Sequence, residues 1–73
     1  MNFGERLNST RKEKKHTAQE LAEMLGIGLR SYRAYESNSR EPNFDTLIKI
    51  ADFLDVSTDY LLCRDECLAK HAD

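Results

Sequence analysis

The chain has no tryptophan, a single proline, three glycines and two cysteines among its 73 residues. Each scarcity narrows the reading. Cys63 and Cys67 stand four positions apart near one end. That is no disulfide framework of a small secreted scaffold, and a reduced, cytoplasmic protein is the expected setting. No stretch comes near the ~18 apolar residues that cross a bilayer, and no apolar run at the amino end has the form of a signal peptide, so neither membrane association nor export is expected. A phosphate-cradling glycine loop, a nucleophile elbow and a pocket-forming pair of carboxylates are all missing. No enzymatic activity, cofactor or small-molecule ligand is therefore expected. Alternation of apolar and polar residues, the mark of a half-buried strand, is sustained nowhere. A chain this short hides only about 60% of the surface it exposes when unfolded, so one domain with a modest core is the most it can build.

What is present is charge, unevenly placed. Charged residues make up 33% and hydrophobic ones 40%, the balance of a folded domain. A net charge of −2 argues at first against a nucleic-acid partner. The distribution points the other way. Residues 1–40 carry eight basic side chains (Arg6, Arg11, Lys12, Lys14, Lys15, Arg30, Arg33, Arg40) against five acidic ones, a balance of +3. Residues 41–73 carry three against eight, a balance of −5. A polyanion responds to a local basic face more than to the total.

Helical periodicity dominates the chain and predicts an all-α fold of five short helices. Asn2 with Glu5 forms a capping box for a helix to about Lys14, with Phe3 and Leu7 facing inward. Thr17 with Glu20 forms a second box; Ala18, Leu21, Ala22 and Leu25 then make one apolar stripe with Met24 beside it. Gly26 ends that helix in the left-handed conformation, which costs glycine little. Gly28 opens a third helix to about Ser37. Its inner side carries Tyr32 and Tyr35 as core residues, and its outer side Leu29, Arg30, Arg33 and Ala34. Asn38 is able to take a left-handed stop, and a polar loop closed by Pro42 follows. Asn43 caps a fourth helix whose Phe44, Leu47, Ile48, Ile50, Ala51 and Leu54 make a wide apolar face, ended by Asp55. Ser57 caps a fifth, containing Tyr60, Leu61 and Leu62. No glycine or proline stops it before residue 73, so an extension past Cys63 is expected.

Two short helices joined by Gly26-Ile27-Gly28 have the geometry of a helix-turn-helix, whose second helix enters the DNA major groove. Arg30 and Arg33 on its outer side suit guanine O6 and N7. The run from Thr17 to Glu36 (TAQELAEMLGIGLRSYRAYE) resembles the helix-turn-helix of the Cro/phage-repressor, or XRE-like, family. Arg40 to Ser57 (REPNFDTLIKIADFLDVS) resembles its fourth helix and following turn, and Asp59-Tyr-Leu-Leu62 its fifth. The resemblance spans residues 3–64. It implies a compact five-helix, lambda-repressor-like DNA-binding domain over residues 1–64, with 65–73 a short tail or an extension of the fifth helix. It further implies a double-stranded DNA operator as partner, transcriptional regulation as function, and a homodimer on DNA. Leu29, Arg30, Ser31, Arg33 and Ala34 match the family's base-facing positions. Thr17, Gln19, Ser37, Asn38, Ser39 and Arg40 match its phosphate-facing ones, and Arg11 with Glu36 its structural salt bridge. Ala18 stands where the family often has glutamine, and Leu29 where a polar base reader is usual. Asn38, Asp55 and Cys63 stand where glycines are common; at Cys63 the departure suggests that the last helix continues.

Net negative charge and Leu29 favour a protein-interaction module, such as an antitoxin, with weak DNA affinity. Cys63, Cys67 and His71 recur every four residues, but with no fourth ligand no metal site is expected. The basic run Lys12–Lys15 with His16 reads as a solvated helix end, where cations suit the helix dipole, with a direct DNA contact as the alternative. Leu61, Leu62 and Leu68 are the apolar side chains expected at a dimer interface.

Overall fold

Four of the five helices among the described residues begin at a side chain that accepts a free backbone N–H. The computed structural model describes residues 1–64. In it α1 spans Phe3–Glu13, α2 Ala18–Leu25, α3 Leu29–Glu36, α4 Phe44–Leu54 and α5 Thr58–Leu61. No strand occurs among the described residues. Asn2 Oδ1 accepts the Glu5 N–H at 3.0 Å while Glu5 Oε1 accepts the Asn2 N–H at 3.3 Å. Thr17 and Glu20 exchange the same pair of bonds at 3.1 and 2.9 Å. Asn43 and Ser57 cap α4 and α5 through the N–H groups of Thr46 and Tyr60. Only α3 lacks a side-chain cap, because Gly28 stands at its N-cap.

The turn between α2 and α3 is made by Gly26 at φ +69°, with the Ile27 N–H returning to the Ala22 carbonyl at 3.0 Å. Ile27 packs against the core and so anchors the turn. Four non-glycine residues adopt the same left-handed conformation: Lys15, Asn38, Asp55 and Cys63. Cys63 corrects the expectation of a longer last helix. Its φ is +60° and its N–H closes on the Tyr60 carbonyl at 3.1 Å, so α5 stops at Leu61. The chain turns there as it would with a glycine. Cys67, Leu68 and His71, and the expected tail of residues 65–73, lie outside the described residues.

The core joins all five helices: Leu7 from α1, Leu21 and Ala22 from α2, Tyr32 and Tyr35 from α3, Leu47, Ile50, Ala51 and Leu54 from α4, and Leu61 from α5. The two tyrosine rings meet edge to face, centroids 6.4 Å apart, an arrangement aromatic quadrupoles favour. Two expectations change here. Phe44 and Ile48 were assigned to the buried face of α4, but they are 85% and 48% exposed. The spacing 47, 50, 51, 54 already completes the inward stripe, and at 100° per residue Phe44 and Ile48 fall on its edge. Leu61, expected at a dimer interface, is fully buried against the core and is unavailable to any partner.

Helix α1 approaches α3 closely at Gly4. A Cβ there would overlap the Glu36 carbonyl oxygen and come within 2.7 Å of the Asn38 amide nitrogen. The Gly4 N–H donates to Asn38 Oδ1 at 2.9 Å, and Asn38 Nδ2 donates to Asn2 Oδ1 at 2.8 Å. The exit of α3 is thus latched to the start of α1. Arg6 ties α1 to α5 in a similar way, its Nη1 donating to the Tyr60 carbonyl at 3.2 Å and its guanidinium lying 4.2 Å from the Tyr60 ring centroid.

Candidate nucleic-acid interface

The two tyrosines decide which way α3 faces. With Tyr32 and Tyr35 turned into the core, Arg30 and Arg33 stand exposed on the opposite side, and Leu29 and Ala34 lie half-buried on the same side. Ser31 is half-buried at the flank. The five residues expected to face bases are therefore carried on one short, rigid helix. Arg30 and Arg33 have no ion-pair partner among the described residues, so both guanidinium groups are free for an external anion.

A buried polar network sets the angle of α3 against α1. Glu36, in the last turn of α3, receives Arg11 Nε at 2.7 Å and the Tyr32 hydroxyl at 2.6 Å on Oε2. On Oε1 it receives Asn8 Nδ2 at 2.8 Å and, more weakly, Arg11 Nη2 at 3.4 Å. The expected Arg11–Glu36 salt bridge is present, with both side chains nearly buried. Burial pushes the Glu36 carboxyl up, but the donors Arg11, Tyr32 and Asn8 together outweigh it and hold the group below its ordinary value. Hydrogen bonding to Glu36 raises Arg11 further. Burial, then Glu36, keeps the Tyr32 phenol protonated far above neutrality. Arg11 also donates Nη1 to the His16 carbonyl at 3.0 Å, one residue before the cap of α2. One guanidinium therefore holds α1, α3 and the entry to α2 together. Asn8 and Tyr32 were not anticipated as members of this network; their identity as donors emerges only once α1 and α3 are packed.

Beside the network lies a shallow cleft lined by Asn8, Arg11, Lys12, Ala18, Arg33, Glu36 and Ser37. It brings the first turn of α2, with its outward N–H groups, next to the exposed cations Lys12 and Arg33, a setting that suits a phosphate. Of the basic run at the end of α1, Lys12 lines this cleft. Thr17 and Gln19 are exposed at the start of α2, and Ser37, Ser39 and Arg40 on the loop after α3. Ser37 Oγ lies 3.2 Å from the Ala34 carbonyl, to which it donates, and 2.9 Å from Ser39 Oγ. Asn38 is different. It is exposed like them, but its carbonyl oxygen and one amide hydrogen also serve Gly4 and Asn2, which ties it to the start of α1.

Among the described residues no group of three or more His, Cys, Asp or Glu side chains is arranged to hold a metal ion, and no helix is long and apolar enough to cross a membrane.

Comparisons with known proteins agree with this geometry. Residues 4–64 match the family described as "Helix-turn-helix domain". The chain is 55% identical over 60 residues to the HTH-type transcriptional regulator YqaE of Bacillus subtilis, covering 82% of this chain and 52% of that protein. It is 42% identical over 71 residues to the HTH-type transcriptional regulator ImmR of the same organism, covering 97% of this chain and 56% of ImmR. The CTXphi transcriptional repressor RstR of Vibrio cholerae is 42% identical over 64 residues, covering 88% and 57%. The chain thus spans about half the length of the curated relatives it matches. Among solved structures, the P22 c2 repressor in complex with a synthetic operator superposes with a TM-score of 0.78 at 32% identity, over 85% of this chain and 94% of that one. By sequence, by fold and by the placement of α2 and α3, the chain belongs to the helix-turn-helix family of transcriptional regulators, in its XRE-like, phage-repressor branch.

Proposed function

We propose that this chain binds a specific operator in double-stranded DNA and regulates transcription, acting as a repressor by occupying the site. The observation that carries the proposal is the outer side of α3: two exposed, unpaired arginines on a helix held from behind by two buried tyrosines and the Glu36 network. In this reading α3 enters the major groove. Leu29, Arg30, Ser31, Arg33 and Ala34 face the bases, with Leu29 suited to a thymine methyl. Thr17, Gln19, Ser37, Ser39 and Arg40 contact phosphates, joined by Lys12. The protein works in the cytoplasm. One chain covers a half-site, and a homodimer sets two recognition helices about 34 Å apart on one face of the duplex.

The test is selection of bound duplexes from a random DNA pool, followed by titration of a recovered duplex and its scrambled version at several salt concentrations. Binding that is sequence-selective and falls steeply with salt is expected. Indifference to DNA at low salt would end this reading in favour of a module that binds another protein.

A further inference from the structure

His16 is the point at which three helices meet. Lys15, at φ +64°, turns the chain out of α1, and both backbone groups of His16 then bond to one residue. Its N–H donates to the Arg11 carbonyl at 3.1 Å, and its carbonyl accepts Arg11 Nη1 at 3.0 Å. The ring is held as firmly. Its centroid lies 4.7 Å from that of Phe53 on α4, and Nδ1 lies 3.4 Å from Glu20 Oε2 on α2. Only 30% of the side chain is exposed, so the imidazole is packed into the turn and not freely solvated. Glu20 is fixed in its turn, because its other oxygen accepts the Thr17 N–H at 2.9 Å in the capping box of α2. One carboxylate thus bridges the imidazole and the N-cap of the helix assigned to phosphates.

We propose that His16 is a positioning residue that couples operator binding to proton uptake, its charged ring locking and neutralising Glu20 at the start of α2. Histidine is the side chain whose charge ordinarily changes between pH 5 and pH 8. Glu20 stays ionised there, since the Thr17 N–H first, and then His16, hold its carboxyl below the usual range. With a neutral ring, the start of α2 carries an uncompensated negative charge beside Thr17 and Gln19, which opposes an incoming phosphate. With a charged ring the pair is neutral, and Nδ1 is a donor to Glu20 without choice of tautomer. The groups around the ring fix the sign. Glu20 favours its charge, whereas Arg11, Lys12, Lys14 and Lys15 of α1 oppose it; on α4 the exposed Asp52 and Lys49 lie beside Phe53 in sequence. Phosphates arriving at this end offset the lysines and favour the charged ring, so the bound state takes up a proton. By linkage, affinity rises as pH falls through the histidine range and is lost as pH rises.

This inference rests on the operator reading, and the experiment separates the two. A duplex selected from a random pool is titrated with the full chain between pH 8 and pH 6 at constant ionic strength. No selective binding at any pH would sink the operator reading itself. Given selective binding, affinity is expected to rise ~10-fold over this range, the factor that matches one unit of difference in proton affinity between free and bound protein. Calorimetry in two buffers of different ionisation heat should show protons taken up on binding. His16→Gln keeps a neutral donor for Glu20 and should give a flat profile near the parent's affinity at pH 8. His16→Arg carries a permanent charge and should give a flat profile near the parent's affinity at pH 6. It decides independently if His16→Gln folds poorly. His71→Gln, at the chain's other histidine, should leave the slope intact. A pH-independent parent would overturn the proposal. So would a slope that survives His16→Gln, a slope lost on His71→Gln alone, or a His16→Arg variant that binds no better than the parent at pH 8.

Discussion

The Tyr32 hydroxyl donates to Glu36 Oε2 at 2.6 Å, one turn along the same helix, on the atom that also receives Arg11 Nε at 2.7 Å. The bond joins the ring that anchors α3 in the core to the carboxylate that ties α3 to α1. Removing the hydroxyl alone, by Tyr32→Phe, keeps the packing and deletes one charge-assisted bond. A loss of ~1.5–3 kcal/mol is expected, read as a lower midpoint in urea. A midpoint equal to the parent's would show that Arg11 and Asn8 hold Glu36 without help.

Acid should weaken the domain through the same group. Burial raises Glu36, its three donors outweigh burial, and the folded-state value lies below the unfolded one. Its stabilising contribution is therefore complete above the unfolded value, about pH 4.3, and is lost as pH falls through the lower folded value. Glu20 shifts the same way through the Thr17 N–H and then His16, but it is exposed and screened. Melting curves between pH 6 and pH 3 should show a steep acid limb in the parent. Glu36→Gln should be less stable at neutral pH and show a flatter limb; an unchanged slope would move the acid sensitivity elsewhere.

Gly4→Ala tests the close approach of α1 to α3. In an exposed helix interior this change gains about 0.5–1 kcal/mol. Here the new methyl meets the Glu36 carbonyl and the Asn38 amide, backbone and a latched side chain that have little room to give. A net loss of ~1–3 kcal/mol is expected from overpacking. A more stable variant, by thermal melt, would mean that the two helices separate easily.

Two cations separate base reading from phosphate contact. Arg33→Ala should cost ~1–3 kcal/mol on the selected duplex and relax preference at one or two positions. Lys12→Ala should weaken binding on all sequences alike and reduce the salt slope by about one. A uniform loss for Arg33 would reassign it to the cleft it shares with Lys12.

Local chemistry was legible before any coordinates. Capping boxes at Asn2 and Thr17, the left-handed Gly26, and the inward tyrosines each depend on residues within four positions of one another. What distance in sequence concealed was everything set by packing between helices. Periodicity told which side of α4 faces in but not how wide the covered stripe is, so Phe44 and Ile48 were placed inside. It could not show that Leu61 fills the floor of the core while its neighbour Leu62 looks out. The hydrogen bonds of Asn38 to Gly4 and Asn2 were hidden because those partners lie more than thirty residues away. Cys63 suggests a continuing helix because a left-handed turn is disfavoured for any residue with a Cβ, yet packing imposes one there. At the interface, Arg30 and Arg33 are readable from helix geometry, whereas the cleft that Lys12 shares with Ala18 and Arg33 exists only once the helices are packed.

The reach of Arg11 to the His16 carbonyl has a consequence for how selectivity arises. Because that guanidinium clamps the entry of α2 to the end of α3, the spacing between the two helices is settled before any duplex arrives. A stiff gauge loses little freedom on docking, and it cannot stretch to suit a poor fit. Bending, twisting and groove narrowing then fall to the DNA, and base steps that resist deformation are disfavoured even where no side chain touches them.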